Sequence, residues 1–263
     1  MGILLGHGVV TFAQAPAGGF FPQPGDTGAS HDSSLALLLA THAEAGDLPL
    51  RQLDHLVRQL GNKRKKADHA RMVKRVFDEG RRRFLHSYNK NYPHFTQLFT
   101  EGSYNCVTGT ALYAWVLGRL GYPVEIHETA FHAYLTVRVE HNVYLLDATD
   151  PQSGFVNGAV AAGKRALWYT GNELQKGVTF NRQISFRQLC GLQYYNQGVV
   201  AFNARDYDGS LAYLRKALEL YPESERIADL EQQAARYRRE VMAYATGKTF
   251  ASNAGGRRAE GGE

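Results

Sequence analysis

The stretch from Val107 to Leu117 constrains this chain more than any other. It carries no charged residue, and its apolar side chains fall nearly all round a helical wheel. Such a helix is stable only when other elements cover every side of it. Ser103 and Asn105 stand just ahead as N-cap residues, whose side-chain oxygens accept the unpaired amide hydrogens of a first turn. Gly121, with Pro123 close behind, stops it. The chain therefore needs a core built around one buried helix. Its 263 residues, 44% of them hydrophobic, are enough to supply that core.

Cys106 falls in the first turn of this helix. There the positive end of the helix dipole favours a negative sulfur, and the Cys106 backbone N–H points out toward where an oxyanion would sit. Phe131 to Val139 then alternates as a strand, with Ala133, Leu135, Val137 and Val139 on one face and His132, Tyr134, Thr136 and Arg138 on the other. Asn142 to Ala148 reads as the second strand of a hairpin turning at Glu140 and His141. Two registers are open. Pairing Val139 with Val143 sets His132 opposite Asp150; pairing Arg138 with His141 sets it opposite Asp147. Either carboxylate would fix the imidazole tautomer. Cys106, His132 and one of these aspartates thus follow the order of a thiol nucleophile, its base and the orienter of that base.

At these residues the chain resembles the transglutaminase-like superfamily of papain-type thiol enzymes. The likeness covers roughly residues 50 to 160 and lies in three short motifs: Asn105-Cys106-Val107-Thr108-Gly109 at a helix start, Phe131-His132-Ala133-Tyr134-Leu135 on a strand, and Leu145-Leu146-Asp147-Ala148-Thr149 on the next. It implies Cys106 as nucleophile, His132 as base and Asp147 as orienter, with Asp150 in reserve. It also implies an α+β fold in which the cysteine-bearing helix is buried against an antiparallel sheet. Two features depart from that family. Val107 stands where many relatives have an aromatic residue, and the interval from Cys106 to His132 is short. No motif certifies an upstream oxyanion donor; Tyr104, Asn105 and Gln97 are the nearest candidates. The fold also hosts inactive binding modules, so it does not by itself imply activity.

The second resemblance lies further on. Ser185 caps a long helix through Asn203, and Tyr194, Gly198, Asp206, Tyr207, Ser210, Leu214, Ala217 and Pro222 fall at the positions of a tetratricopeptide repeat, two antiparallel helices in close approach. A single repeat cannot bury its own face, so it must pack on the helix from Glu223 to Ala245 or on the thiol domain. The domains expected are a signal peptide and linker at 1–30, the thiol domain with its N-terminal helices at 31–183, the helical repeat unit at 184–247, and a disordered tail at 248–263.

The apolar residues between Ile3 and Phe12, followed by Ala13-Gln14-Ala15, fit a signal peptide, though no Lys or Arg precedes Arg51. Export to a periplasm or beyond is favoured over a cytoplasmic location. No stretch is long and apolar enough to span a membrane. A net charge of +5 does not imply a nucleic-acid partner. Two cysteines exclude a disulfide framework, and Cys190, inside a helix, reads as a core thiol. No metal or cofactor is called for, since there is no paired-cysteine or His-Glu-x-x-His spacing. His127 and His132, taken on one strand, face opposite sides. Asp26-Thr27-Gly28 has the letters of an aspartic-protease loop but no strand before it. Pro151 to Gly163 reads as a glycine-rich loop over the site; Gly158 to Lys164 nearly spells a phosphate loop, with Arg165 where Ser or Thr is needed.

The expected function is cysteine-dependent acyl transfer on a peptide or carboxamide, as a peptidase, an amidase or a transglutaminase-type enzyme. The alternative is a catalytically inactive scaffold that binds a protein partner through its repeat-like helices. A third reading takes the basic face of the helix bearing Arg71, Lys74, Arg75, Arg81, Arg82 and Arg83 as a contact surface.

Overall fold

A computed structural model describes residues 33, 35–41, 46–64, 68–92, 94–174 and 180–245. The signal-peptide and linker reading, the Asp26-Thr27-Gly28 stretch and the tail at 248–263 lie outside the described residues. The fold mixes helices with a five-stranded antiparallel sheet.

After a helical turn at 35–39 come α1 (Leu48–Arg64) and α2 (His69–Arg83). Helix α2 forms because Met72, Val73, Val76 and Phe77 recur at helical spacing, and Asp68 caps it by accepting from the Arg71 N–H. Its basic outer face is a solvated one with its own counter-ions: Arg71 pairs with Asp68, Lys74 with Asp78, and Arg82 and Arg83 with Glu79. Next are the short strand β1 (Ser87–Tyr88), the single turn α3 (Gln97–Thr100) and β2 (Ser103–Tyr104), which runs parallel to β1.

Helix α4 (Cys106–Arg119) is the buried one. Every residue from Val107 to Leu117 is buried. Asn105 caps it in a reciprocal box with Thr108: each side chain accepts the other residue's backbone N–H, at 2.9 Å in both directions. Tyr113 stacks on Phe77 and donates its hydroxyl to the Phe77 carbonyl at 2.9 Å, fixing α4 against α2.

The sheet follows: β3 (Val124–Thr129), β4 (Ala133–Val139), β5 (Asn142–Leu146), β6 (Phe155–Asn157) and, after α5 (Ala159–Leu174), β7 (Asn181–Ile184). Its order is β6-β5-β4-β3-β7, with every neighbouring pair antiparallel. Leu135, Val137, Tyr144 and Leu146 face the core shared with α4 and α2. Tyr134, Val143 and Leu145 face the other way, where Ala162 and Tyr169 of α5 cover them.

Three expectations are corrected here. The hairpin takes neither of the two registers: Val139 pairs with Asn142 and Arg138 with Val143, around the tight turn Glu140-His141, with Glu140 at φ 54°. His132 and Asp147 lie just outside the paired strands, which begin at Ala133 and end at Leu146. The glycine-rich stretch is not a loop over the site. After a turn at 151–154 it forms β6 and the opening of α5, so Ala159 to Lys164 is the start of a helix.

The chain closes with α6 (Phe186–Asn203), α7 (Tyr207–Leu220) and α8 (Glu225–Ala245). Ser185 and Gln188 cap α6 in a second reciprocal box. Gly198 lets α7 approach closely, since a Cβ there would stand 2.8 Å from Leu214, and the Ser210 hydroxyl donates to the Gly198 carbonyl at 2.9 Å. One hydrophobic core runs from Leu35 through α4 and the sheet to Leu214, Ile227 and Ala234. Cys190 lies inside it, and burial pushes its thiol up to about 12. No helix among the described residues is long and apolar enough to cross a membrane.

Candidate active site

The N-terminus of α4 meets the ends of β4 and β5 at one edge of the sheet. The Thr110 hydroxyl holds the two elements together by donating to the Ala133 carbonyl at 3.1 Å. The first turn of the buried helix is thereby set beside the residue that opens β4. Cys106 is half-buried and unbonded to Cys190. It lines the same cavity as His132, and its sulfur is close enough to raise the pKa of that imidazole.

His132 is fixed from both sides. Its backbone N–H donates to the Thr129 hydroxyl at 3.1 Å, and its carbonyl accepts from the Thr129 N–H at 2.8 Å. Its Nε2 lies 3.2 Å from Asp147 Oδ1. The carboxylate sits off the direction of the ring N–H, so the contact is an ion pair rather than an aligned hydrogen bond. Burial works against the imidazolium, but Asp147 and the Cys106 sulfur outweigh it and raise the pKa of His132 to about 10.

Asp147 is 3% exposed, a position that costs a carboxylate much unless it is well bonded. It accepts from the Thr149 N–H at 2.9 Å and the Thr149 hydroxyl at 2.8 Å on Oδ1, and from the Tyr169 hydroxyl at 2.6 Å on Oδ2. Burial favours the neutral acid, yet His132, Tyr169 and Thr149 together hold Asp147 far below the usual carboxylate range. Its backbone is clamped too: the Asp147 N–H donates to the Gly154 carbonyl, and the Gly154 N–H to the Asp150 carbonyl. A Cβ on Gly154 would stand 2.2 Å from the Asp147 carbonyl oxygen.

Asp150, the reserve orienter, is engaged elsewhere. It accepts from the Gln152 and Ser153 N–H groups and is paired with Arg165. Gln97 is also turned to other partners, accepting from the His94 N–H and donating to Glu101. Tyr104 packs edge-on against Tyr88. Asn105 caps the helix and lines the cavity in front of Cys106.

His127 is not on the far side of the sheet. His127 lies on β3 and His132 just ahead of β4, across the turn that joins them, and both rings stack against Tyr134, at 4.9 and 6.3 Å. Tyr169 completes the group with its centroid 4.8 Å from His132 and 4.8 Å from Tyr134. Sequence reading missed Tyr169, although Ala162, Ala166 and Tyr169 recur at the spacing of one helical face.

A cavity of about 130 Å³ opens in front of Cys106 and His132. Tyr88 and Phe131 stand at its rim, both more than half exposed. Its far wall comes from the C-terminal helices, through Leu192, Tyr195 and Asn196 of α6 and Arg226 of α8. A wider hollow along α8 is lined only by residues of that single helix and holds none of these groups.

Residues 192–224 match the tetratricopeptide repeat family. The match spans the second half of α6, all of α7 and the turn into α8, and a repeat of this kind points to protein interaction. No curated protein and no solved structure matches the chain.

Proposed function

We propose that this protein is a cysteine-dependent acyl-transfer enzyme of transglutaminase-like type, with Cys106 as nucleophile, His132 as base and Asp147 as orienter. The observation that carries the reading is the 3.2 Å contact between His132 Nε2 and Asp147 Oδ1. It leaves Nδ1 of the same ring for the Cys106 sulfur.

The chemistry follows from that order. With the thiol proton held on His132 as imidazolium, the Cys106 sulfur attacks a carboxamide or peptide carbonyl carbon as thiolate, forming the C–S bond. The oxyanion lies off the start of α4, where the Cys106 N–H and the helix dipole favour negative charge. Collapse breaks the C–N bond, and the imidazolium gives its proton to the leaving amine. The thioester is then cleaved by water or by a second amine, whose proton returns through His132. Hydrolysis and transfer differ only in that second nucleophile.

The test uses an activated ester, p-nitrophenyl acetate, and intact-protein mass spectrometry. A burst of nitrophenolate with an acetyl adduct on Cys106 is expected, with no burst in Cys106→Ser. Buried Cys190 serves as the internal control. Acetylation of surface lysines alone, at equal rates in both proteins, would sink the reading.

The second reading is a scaffold that binds a protein partner, and the repeat match at 192–224 favours it. Partner binding alone does not separate an inactive scaffold from an enzyme, because residues of the repeat line the same cavity as Cys106.

A further inference from the structure

The wall supplied by the C-terminal helices has a chemical character of its own. Among the described residues that line the cavity, the only charged groups apart from the thiol and imidazole are Lys90 and Arg226, and no Asp or Glu is present. Lys90 is exposed and makes no ion pair among the described residues. Arg226 is held in place: one guanidinium nitrogen donates to the Ala130 carbonyl at 3.3 Å, another pairs with Glu128, and the Tyr195 ring lies 5.7 Å away. Glu128 does not cancel this charge. It is fully buried and also meets Arg182 at 3.4 Å and the Tyr221 hydroxyl at 2.6 Å, so two guanidinium groups share one carboxylate.

Asn196 adds a neutral donor. It is 5% exposed, lines the cavity, and its Nδ2 has no hydrogen-bond partner among the described residues. A buried donor left unmade carries a desolvation cost that a ligand acceptor removes. Lys90, Arg226 and Asn196 therefore present N–H donors to the space in front of Cys106. Donors without a facing carboxylate suit a ligand rich in acceptors and negatively charged.

We propose that the cavity selects acyl donors bearing a carboxylate beside the scissile carbonyl, with Lys90 and Arg226 holding the carboxylate and Asn196 donating to a neighbouring carbonyl. An acidic peptide, or one ending in a free carboxylate close to the reacting bond, has that form. The inference rests on Cys106 being the nucleophile. The tetratricopeptide-like unit is then part of substrate recognition as well as a surface for partners.

The test uses the full chain and two thiol reagents of opposite charge, 2-sulfonatoethyl and 2-(trimethylammonio)ethyl methanethiosulfonate. Rates at Cys106 are followed by mass spectrometry and normalised to N-acetylcysteine. The sulfonate reagent reacts faster in the native protein, and Lys90→Glu lowers the anion-to-cation rate ratio about fivefold, as expected for charge reversal within a Debye length of the sulfur. Arg226→Gln lowers it in the same direction. Since that change also leaves Glu128 short of a partner, exposed Lys90 is the deciding variant. A normalised ratio near one, or one that Lys90→Glu leaves unchanged, overturns the inference. Fast, His132-dependent modification without charge preference overturns the selection alone. Slow, His132-independent modification that keeps the Lys90-dependent preference supports the anionic cavity and overturns the thiol mechanism alone.

Discussion

The Tyr169 hydroxyl donates to Asp147 Oδ2 at 2.6 Å while its ring lies 4.8 Å from that of His132. One side chain from α5 thus holds the carboxylate and walls the imidazole that the carboxylate faces. Burial and Asp147, working against Arg165, keep Tyr169 protonated well beyond the ordinary phenol range, so it acts as a fixed donor. Tyr169→Phe leaves Oδ2 without that bond in a buried site and should cost about 1–3 kcal/mol in urea unfolding. Because the folded pKa of Asp147 is depressed, its stabilisation is present above the unfolded value and is lost as pH falls through the folded one. The variant raises the folded value, so its acid unfolding should begin at higher pH. An unchanged acid limb would contradict this role.

His132 gives the opposite limb. Its folded pKa is raised to about 10, against an unfolded value of about 6.5. The stabilisation is complete below the unfolded value and is lost as pH rises through the folded one. Native stability relative to His132→Gln should therefore shrink between about pH 6.5 and 10, by at most about 1.4 kcal/mol per pH unit. A flat difference across that range would mean that the imidazolium is not held by Asp147 and Cys106.

The turn after β5 should tolerate no side chain at Gly154. A Cβ would meet the carbonyl oxygens of Asp147 and Asp150 at 2.2 and 2.3 Å, and backbone moves less easily than side chains. Gly154→Ala should cost about 1–3 kcal/mol by urea unfolding, as overpacking does elsewhere, and should slow Cys106 chemistry by shifting Asp147. Native stability with native reactivity would show that the turn does not position the aspartate.

Glu128 fastens the C-terminal helices to β3. Breaking a buried ion pair by removing one partner costs about 3–5 kcal/mol, so Glu128→Leu should lose roughly that much. Arg226 should also become mobile, which proteolysis near the start of α8 would detect. A variant of native stability would mean that the helices dock through their apolar contacts alone.

Much of this fold was legible in local sequence. The apolar run from Val107 to Leu117 demanded burial, and all of it is buried. The Asn105 cap fell where it was expected, and the strands formed beside His132 and Asp147, because caps and alternation are local signals, although both residues lie just outside the paired segments. Register was not local: the choice among hairpin pairings depended on a two-residue turn that neither expected pairing used. Helix α5 was obscured by Gly158, Gly163 and Gly171. The last two lie in open space on its surface, where glycine costs helix stability about 1 kcal/mol without blocking packing. Asn196 and Arg226 were invisible as site residues because nothing local records how a repeat unit docks on a sheet.

The account rests on His132 activating Cys106, and the most direct measurement is the rate of iodoacetamide alkylation at Cys106 near pH 7, in the native protein and in His132→Ala. Cys190, buried and held in its neutral form, stays unmodified and confirms that both proteins are folded. The account predicts that alkylation slows at least about tenfold in the variant, as expected when a thiol loses the group that takes its proton. Equal rates in the two proteins would contradict it, because the imidazole would then do nothing for the sulfur beside it.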